Sequence, residues 1–154
     1  MLNSRKRRGF SLIELLIVIS IILIIVTVAL PKLTNATRFA HETAAIKAIQ
    51  TIHTAQVQYN SQYGRFATSL TELGPPSSGA ASAAAADLID SNLAAGEKSQ
   101  YKFNLTANQG GYAVNANPVT FGTSGSRTFY SDQSMVLREN YGPEPATANS
   151  KEMK

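Results

Sequence analysis

A chain of 154 residues has room for one modest domain. It contains no cysteine, which excludes a disulfide framework, a thiolate metal site and a cysteine nucleophile. The net charge of +4 suggests an anionic partner, but Arg5, Lys6, Arg7 and Arg8 supply four of the 14 basic residues, so beyond residue 9 ten basic side chains face ten acidic ones and nucleic acid gains no electrostatic grip.

The first predicted element is a membrane span. Phe10 to Leu30 reads FSLIELLIVISIILIIVTVAL, and 21 helical residues cover ~31 Å, the thickness of a bilayer core. Apolar residues occur all round the helical wheel, unlike those of a surface helix. In lipid the backbone must satisfy its own hydrogen bonds, so the segment is helical despite its β-branched side chains. The preceding basic run, Arg5 to Arg8, keeps residues 1–9 in the cytoplasm and sends the C-terminus outward. The run is longer than a signal-peptide core, and no A-x-A-like site follows it.

Glu14 is the one charged residue in the span. A carboxylate at the centre of a bilayer costs ~2.5–3.5 kcal/mol, less near the interface. No basic side chain in the span pairs with it. Cleavage before Phe10 would create a cation, the new α-amino group, one helical turn away or on a neighbouring subunit.

Arg7-Arg8-Gly9-Phe10-Ser11-Leu12-Ile13-Glu14-Leu15 resembles the processing site of type IV prepilins and type II secretion pseudopilins. The resemblance is close over about residues 5–31. It implies a cytoplasmic leader, residues 1–9, cut between Gly9 and Phe10 by the prepilin peptidase, a membrane aspartic protease that then N-methylates Phe10. It places Glu14 on the family's assembly glutamate, which pairs with a neighbour's N-terminal amine. Pro31 matches a recurrent family proline and is expected to kink or loosen the helix, because it removes a hydrogen bond from the Thr27 carbonyl. The Thr27 hydroxyl can compete for nearby carbonyls. Many pilins carry a glycine midway along the span; Leu23 stands there here.

Residues 31–63 are expected to continue the helix, with Leu33, Ala36, Ala40, Ala45, Ile49, Ile52, Tyr59 and Tyr63 at roughly helical spacing and Gly64 ending it. A lone amphipathic helix is unstable in water, so this stripe needs a cover. Residues 64–98 form the connecting region. Within it YNSQYGRFATSLTELG is similar to the segment after the long helix of many pilins, PPSSGAASAAAA is an exposed low-complexity loop, and Asp87 to Leu93 is a short helix. Alternation at Tyr101, Phe103 and Leu105, then at Tyr112, Val114 and Ala116, marks two strands across Gly110-Gly111. Pro118 ends the second strand. Thr128–Tyr130 and Met135–Leu137 are expected to pair across Asp132-Gln133-Ser134. Residues 99–140 thus make a sheet of three or four strands, and residues 141–154 a loose tail. The fold class is α+β and type IV pilin-like: a long N-terminal α-helix, its first half transmembrane, packed on a small C-terminal antiparallel sheet.

Catalytic signatures fail at single positions. His41-Glu42-Thr43-Ala44-Ala45 lacks the second histidine of HExxH, and Ser126 replaces the last glycine of G-x-S-x-G. His41 and His53 are read as solvent-facing on the helix. Some major pseudopilins hold calcium in a C-terminal loop; only Asp132 and Glu139 stand near the expected hairpin, and hard cations want more oxygens. No enzyme activity, metal or cofactor is expected.

The resemblance implies a pilus subunit that polymerises through its N-terminal helix into a helical homo-oligomer. Its other partners would be the prepilin peptidase, inner-membrane assembly machinery and, before assembly, membrane lipid. Its place would be the bacterial inner membrane, then a cell-surface pilus. A periplasmic pseudopilus of type II secretion is the alternative, and a membrane-anchored periplasmic binding module or enzyme the reading from another class.

Overall fold

The computed structural model describes residues 9–108 and 110–154. Arg5, Lys6, Arg7 and Arg8 lie outside the described residues. The chain divides into two compact units, residues 1–36 and 37–154.

The first unit holds the start of helix α1, Leu12–Tyr63. From Leu12 to Val28 every large apolar side chain is exposed, from 41% at Val26 to 76% at Leu12. Such a surface needs lipid or other apolar helices around it. The helix is long and apolar enough to cross a membrane. Its hydroxyls turn inward on the backbone: Ser20 donates to the Leu16 carbonyl at 2.7 Å and Thr27 to that of Ile24 at 2.8 Å. The backbone stays helical through Pro31.

In the second unit α1 buries Ala45, Ala48, Ile49, Ile52, Ala55 and Tyr59, spaced by three and four residues as one helix face requires. The stripe starts later than its periodicity predicts. Leu33 is 62% exposed, Ala36 and Ala40 are also exposed, and burial begins at Glu42. Gly64 ends α1 at φ +70, the left-handed conformation that a helix C-terminus asks of glycine, with its N–H on the Asn60 carbonyl at 2.8 Å. Buried Gln56 then fixes the chain reversal, its amide donating to the Ala67 carbonyl and accepting the Ala67 N–H, both at 2.9 Å.

Two one-turn helices follow, α2 (Leu70–Leu73) and α3 (Ser91–Ala94). Asp90 caps α3 by accepting the Leu93 N–H, so this helix starts later than the expected Asp87. The loop 75–85 between them is mostly exposed, and its neck is tied where Ala86 N–H meets the Glu72 carbonyl and Leu88 and Ile89 N–H share that of Leu73.

The sheet has six antiparallel strands in sequence order, more than the three or four expected: β1 (Glu97–Lys98), β2 (Tyr101–Asn108), β3 (Gly111–Pro118), β4 (Thr128–Asp132), β5 (Arg138–Asn140) and β6 (Lys151–Glu152). Phe103, Leu105, Tyr112, Val114, Ala116 and Phe129 are buried in the core that α1 shares. Pro118 closes β3 opposite Tyr101, as expected.

Two expectations on the C-terminal side fail. The expected hairpin forms, but Met135–Leu137 is irregular chain after a turn at Gln133–Ser134, and the second strand of the hairpin, β5, begins at Arg138. Asp132 accepts the N–H and hydroxyl of Ser134, which curls the chain, and Met135 has φ +62, outside extended space. The tail is not loose. Its Glu144 carbonyl accepts from Thr128 Oγ1 and Asn140 Nδ2, its Ala146 carbonyl accepts from Asn115 Nδ2, and Ala146 is 1% exposed. Arg138 holds the Ser150 carbonyl and Glu152 beside the β5–β6 pair. Polar side chains on strands supply donors that only a bound tail can use.

Candidate functional site

The start of α1 brings the expected processing and assembly residues together. Gly9 and Phe10 precede the helix in irregular backbone, and Phe10 is 92% exposed. A Cβ placed on Gly9 would meet no atom. Among the described residues nothing packs against either side of this bond. Glu14 Oε2 accepts the Ser11 N–H at 2.9 Å. Ser11 and Glu14 stand three residues apart at the helix start, so this is one half of a capping box, in which a carboxylate satisfies an amide that the helix leaves unpaired. A negative charge also suits the positive end of the helix dipole. The carboxylate is thus anchored within its own chain, one turn from Phe10.

A second polar cluster lies where α1 meets the sheet. Glu42, on the helix, accepts the Ser126 N–H and Oγ–H at 2.8 Å each, and Arg127 grips it through Nε at 2.9 Å and Nη2 at 2.8 Å. The other guanidinium nitrogen reaches Glu139 of β5 at 2.8 Å. The Arg127 guanidinium also stands 5.4 Å from the centre of the Phe129 ring and 5.8 Å from that of Tyr141. Burial pushes the Glu42 carboxyl up, but Ser126 and Arg127 outweigh it and hold it below the usual carboxylate range. Burial likewise works against the Arg127 charge, and the two carboxylates more than restore it. Two acids around one arginine make a fixed clamp.

Neighbouring bonds reinforce this clamp. His41 Nδ1–H donates to the Ser124 carbonyl at 3.0 Å, and Tyr101 O–H to that of Arg127 at 2.8 Å. Tyr101 reaches this carbonyl only because residue 125 is glycine: a Cβ there would overlap the tyrosine hydroxyl. Gly125→Ala is expected to lower unfolding free energy by about 1–3 kcal/mol, the range for overpacking. Urea titration followed by near-UV dichroism measures it, and an unchanged midpoint would refute the close approach.

The histidines differ from their expected setting. His53 is 6% exposed, with Nδ1 2.7 Å from the Tyr112 hydroxyl and Nε2 2.8 Å from Ser131 Oγ. His41 is half-buried. Neither joins a cluster: among the described residues no three His, Cys, Asp or Glu side chains group as they would around a metal ion. Asp132 and Glu139, weighed as cation ligands, are engaged by Ser134 and Arg127.

Residues 4–30 match a family model described as the prokaryotic N-terminal methylation motif, the signature of type IV pilins and pseudopilins. The match spans Gly9, Phe10, Glu14 and the apolar segment. The long apolar helix followed by a six-stranded antiparallel sheet is a pilin-like α+β architecture. No curated protein and no solved structure matches the chain.

Proposed function

We propose that this chain is the precursor of a type IV pilus subunit. The observation that carries the reading is the order at the start of α1: a basic run, an open Gly9–Phe10 bond, Glu14 one turn on, and an apolar helix with nothing around it. Prepilin peptidase cuts after Gly9 and methylates the Phe10 amine. Arg5, Lys6, Arg7 and Arg8 hold the leader on the cytoplasmic side until then. The cut removes four basic residues and creates one cation beside the membrane boundary.

Assembly moves the apolar helix from lipid into a bundle of like helices. That transfer changes apolar surroundings little, so packing and polar pairing decide it. The carboxylate of Glu14 and the amine of a neighbour's Phe10 neutralise each other there and set the axial register. Pro31 supplies the point at which the helix loosens as the subunit leaves the bilayer. A surface pilus is favoured over a pseudopilus because Asp132 Oδ1 is taken by Ser134 and Glu139 Oε2 by Arg127, and among the described residues no third acidic side chain joins them as a calcium ligand set would need.

Intact-mass spectrometry of material sheared from cells, beside the membrane fraction, tests this. A sheared species that begins at Phe10 and carries one added methyl group is expected. The processed mass confined to membranes would move the protein to a pseudopilus, and a chain still starting at Met1 would overturn the processing step.

A further inference from the structure

His53 ties three elements together. Ser131 donates its own hydrogen to the Val136 carbonyl at 3.0 Å, so its oxygen accepts from His53 Nε2–H. Nδ1 is then bare and accepts from Tyr112 O–H. One neutral tautomer satisfies every partner. A proton added at Nδ1 would turn this acceptor into a donor, and Tyr112 O–H would lose its acceptor within a buried ring cluster that includes Phe66.

The charges around the ring are few. Helix α1 carries no charged side chain after Lys47. Strand β3 presents Tyr112, whose phenol burial and Asp132 push up to about 12, so it stays neutral. Strand β4 presents Asp132, which favours the imidazolium, but Ser134 already engages that carboxylate and Arg138 of β5 acts on it. Burial outweighs Asp132 and lowers the His53 pKa.

Protons have a route. An open groove of about 460 Å³ is lined by Gln50, His53, Thr54, Val57, Gln58 and Met135. The segment that carries Met135 is tied at both ends to the residues His53 holds. Gln133 exchanges bonds with the Tyr112 backbone, its N–H donating to the carbonyl at 3.2 Å and its Oε1 accepting the N–H at 3.0 Å, and the Val136 carbonyl accepts from Ser131. Within the segment Met135 N–H meets the Asp132 carbonyl at 2.8 Å and Ser134 meets Asp132, and beyond it the Leu137 carbonyl accepts from Met153 N–H at 2.9 Å. The left-handed φ of Met135, a non-glycine residue, adds strain.

We propose that His53 is an acid-sensitive latch: its neutral ring fastens α1 to β3 and β4, and a proton arriving through the groove frees the turn 132–137 while the rest of the sheet stays folded. The latch is fully closed above the ordinary histidine value of about 6.5. It weakens as pH falls from there towards the depressed value of the closed form, since the open form binds the extra proton.

The test uses the full chain in detergent micelles, with labelled histidine followed by NMR and amide exchange followed by mass spectrometry across pH. His53 is expected to titrate below its own midpoint in the urea-unfolded chain. Within that window, opening at 132–137, corrected for intrinsic exchange, is expected to rise about tenfold per pH unit, the slope for one proton. The β2–β3 amides keep their protection. His53→Gln is expected to flatten the slope, and Tyr112→Phe, which removes the hydroxyl from Nδ1, to shift the His53 midpoint upward. A midpoint at or above the unfolded one, a turn whose opening ignores pH, or an unmoved midpoint in Tyr112→Phe would each overturn the latch.

Discussion

Glu14→Ala is expected to leave the precursor in the membrane and to abolish filaments. Insertion does not suffer, because removing a charge from the span lowers the cost of entering lipid by up to ~3 kcal/mol. Assembly fails because the Phe10 amine of a neighbour would enter a helix bundle without its partner, an uncompensated buried charge worth about 3–5 kcal/mol. Electron microscopy of sheared material reads the outcome, with immunoblots of the membrane fraction confirming that the subunit is present. The alanine also deletes the bond to Ser11 N–H, so Glu14→Gln separates the two roles. The amide oxygen of glutamine can keep the cap but not the charge. Filaments from Glu14→Gln at normal number would reduce Glu14 to a helix cap, and normal filaments from Glu14→Ala would remove it from assembly altogether.

Arg127→Ala is expected to be the most damaging change in the second unit, at about 3–5 kcal/mol. It strips Glu42 and Glu139, 4% and 7% exposed, of their shared cation and leaves two carboxylates facing each other out of water. Thermal or urea unfolding of the full chain in detergent measures the loss. A loss below about 1 kcal/mol, the worth of an exposed pair, would mean that water reaches the carboxylates. The sign with pH follows from Glu42, whose carboxyl is held low. Its contribution is complete above about pH 4.3 and disappears as pH falls through the folded value. The Glu42 window opens at about pH 4.3 and the His53 window at about 6.5, so as pH falls the latch begins to weaken before the clamp does.

The helix and the first hairpin were legible because each has a period. Tyr101, Phe103 and Leu105 alternate, and the Ala45-Ile49-Ile52-Tyr59 spacing follows a helix face. The stripe in the sequence is longer than the buried face, because periodicity records an apolar face, not whether anything lies over it: Leu33 and Ala36 fit the pattern and are exposed. The processing residues were legible for another reason, the fixed order around Gly9 and Glu14. Glu42, Arg127 and Glu139 left no such trace. They are separated by 85 and 12 residues, Glu42 read against HExxH and Glu139 against a cation site, and only the packing of α1 on the sheet and the pairing of β4 with β5 bring them together. His53 hides likewise, since a lone histidine beside Thr54 on a helix looks exposed until Tyr112 and Ser131 meet it. The tail hid because Pro143 and Pro145 suggest irregular chain, and irregular chain can still be bound through its carbonyls.

The tied neck below residues 75–85 has a consequence for how this protein can change. Because the hydrogen bonds of Ala86, Leu88 and Ile89 close the neck and the Ala83 carbonyl accepts from buried Tyr59 at 2.6 Å, the tip at residues 76–81 can be lengthened or rewritten at little thermodynamic penalty: doubling a flexible loop adds only about 0.6 kcal/mol. The Ser, Gly and Ala side chains of that tip are mostly exposed. This is the place where an inserted peptide can be carried without disturbing the scaffold.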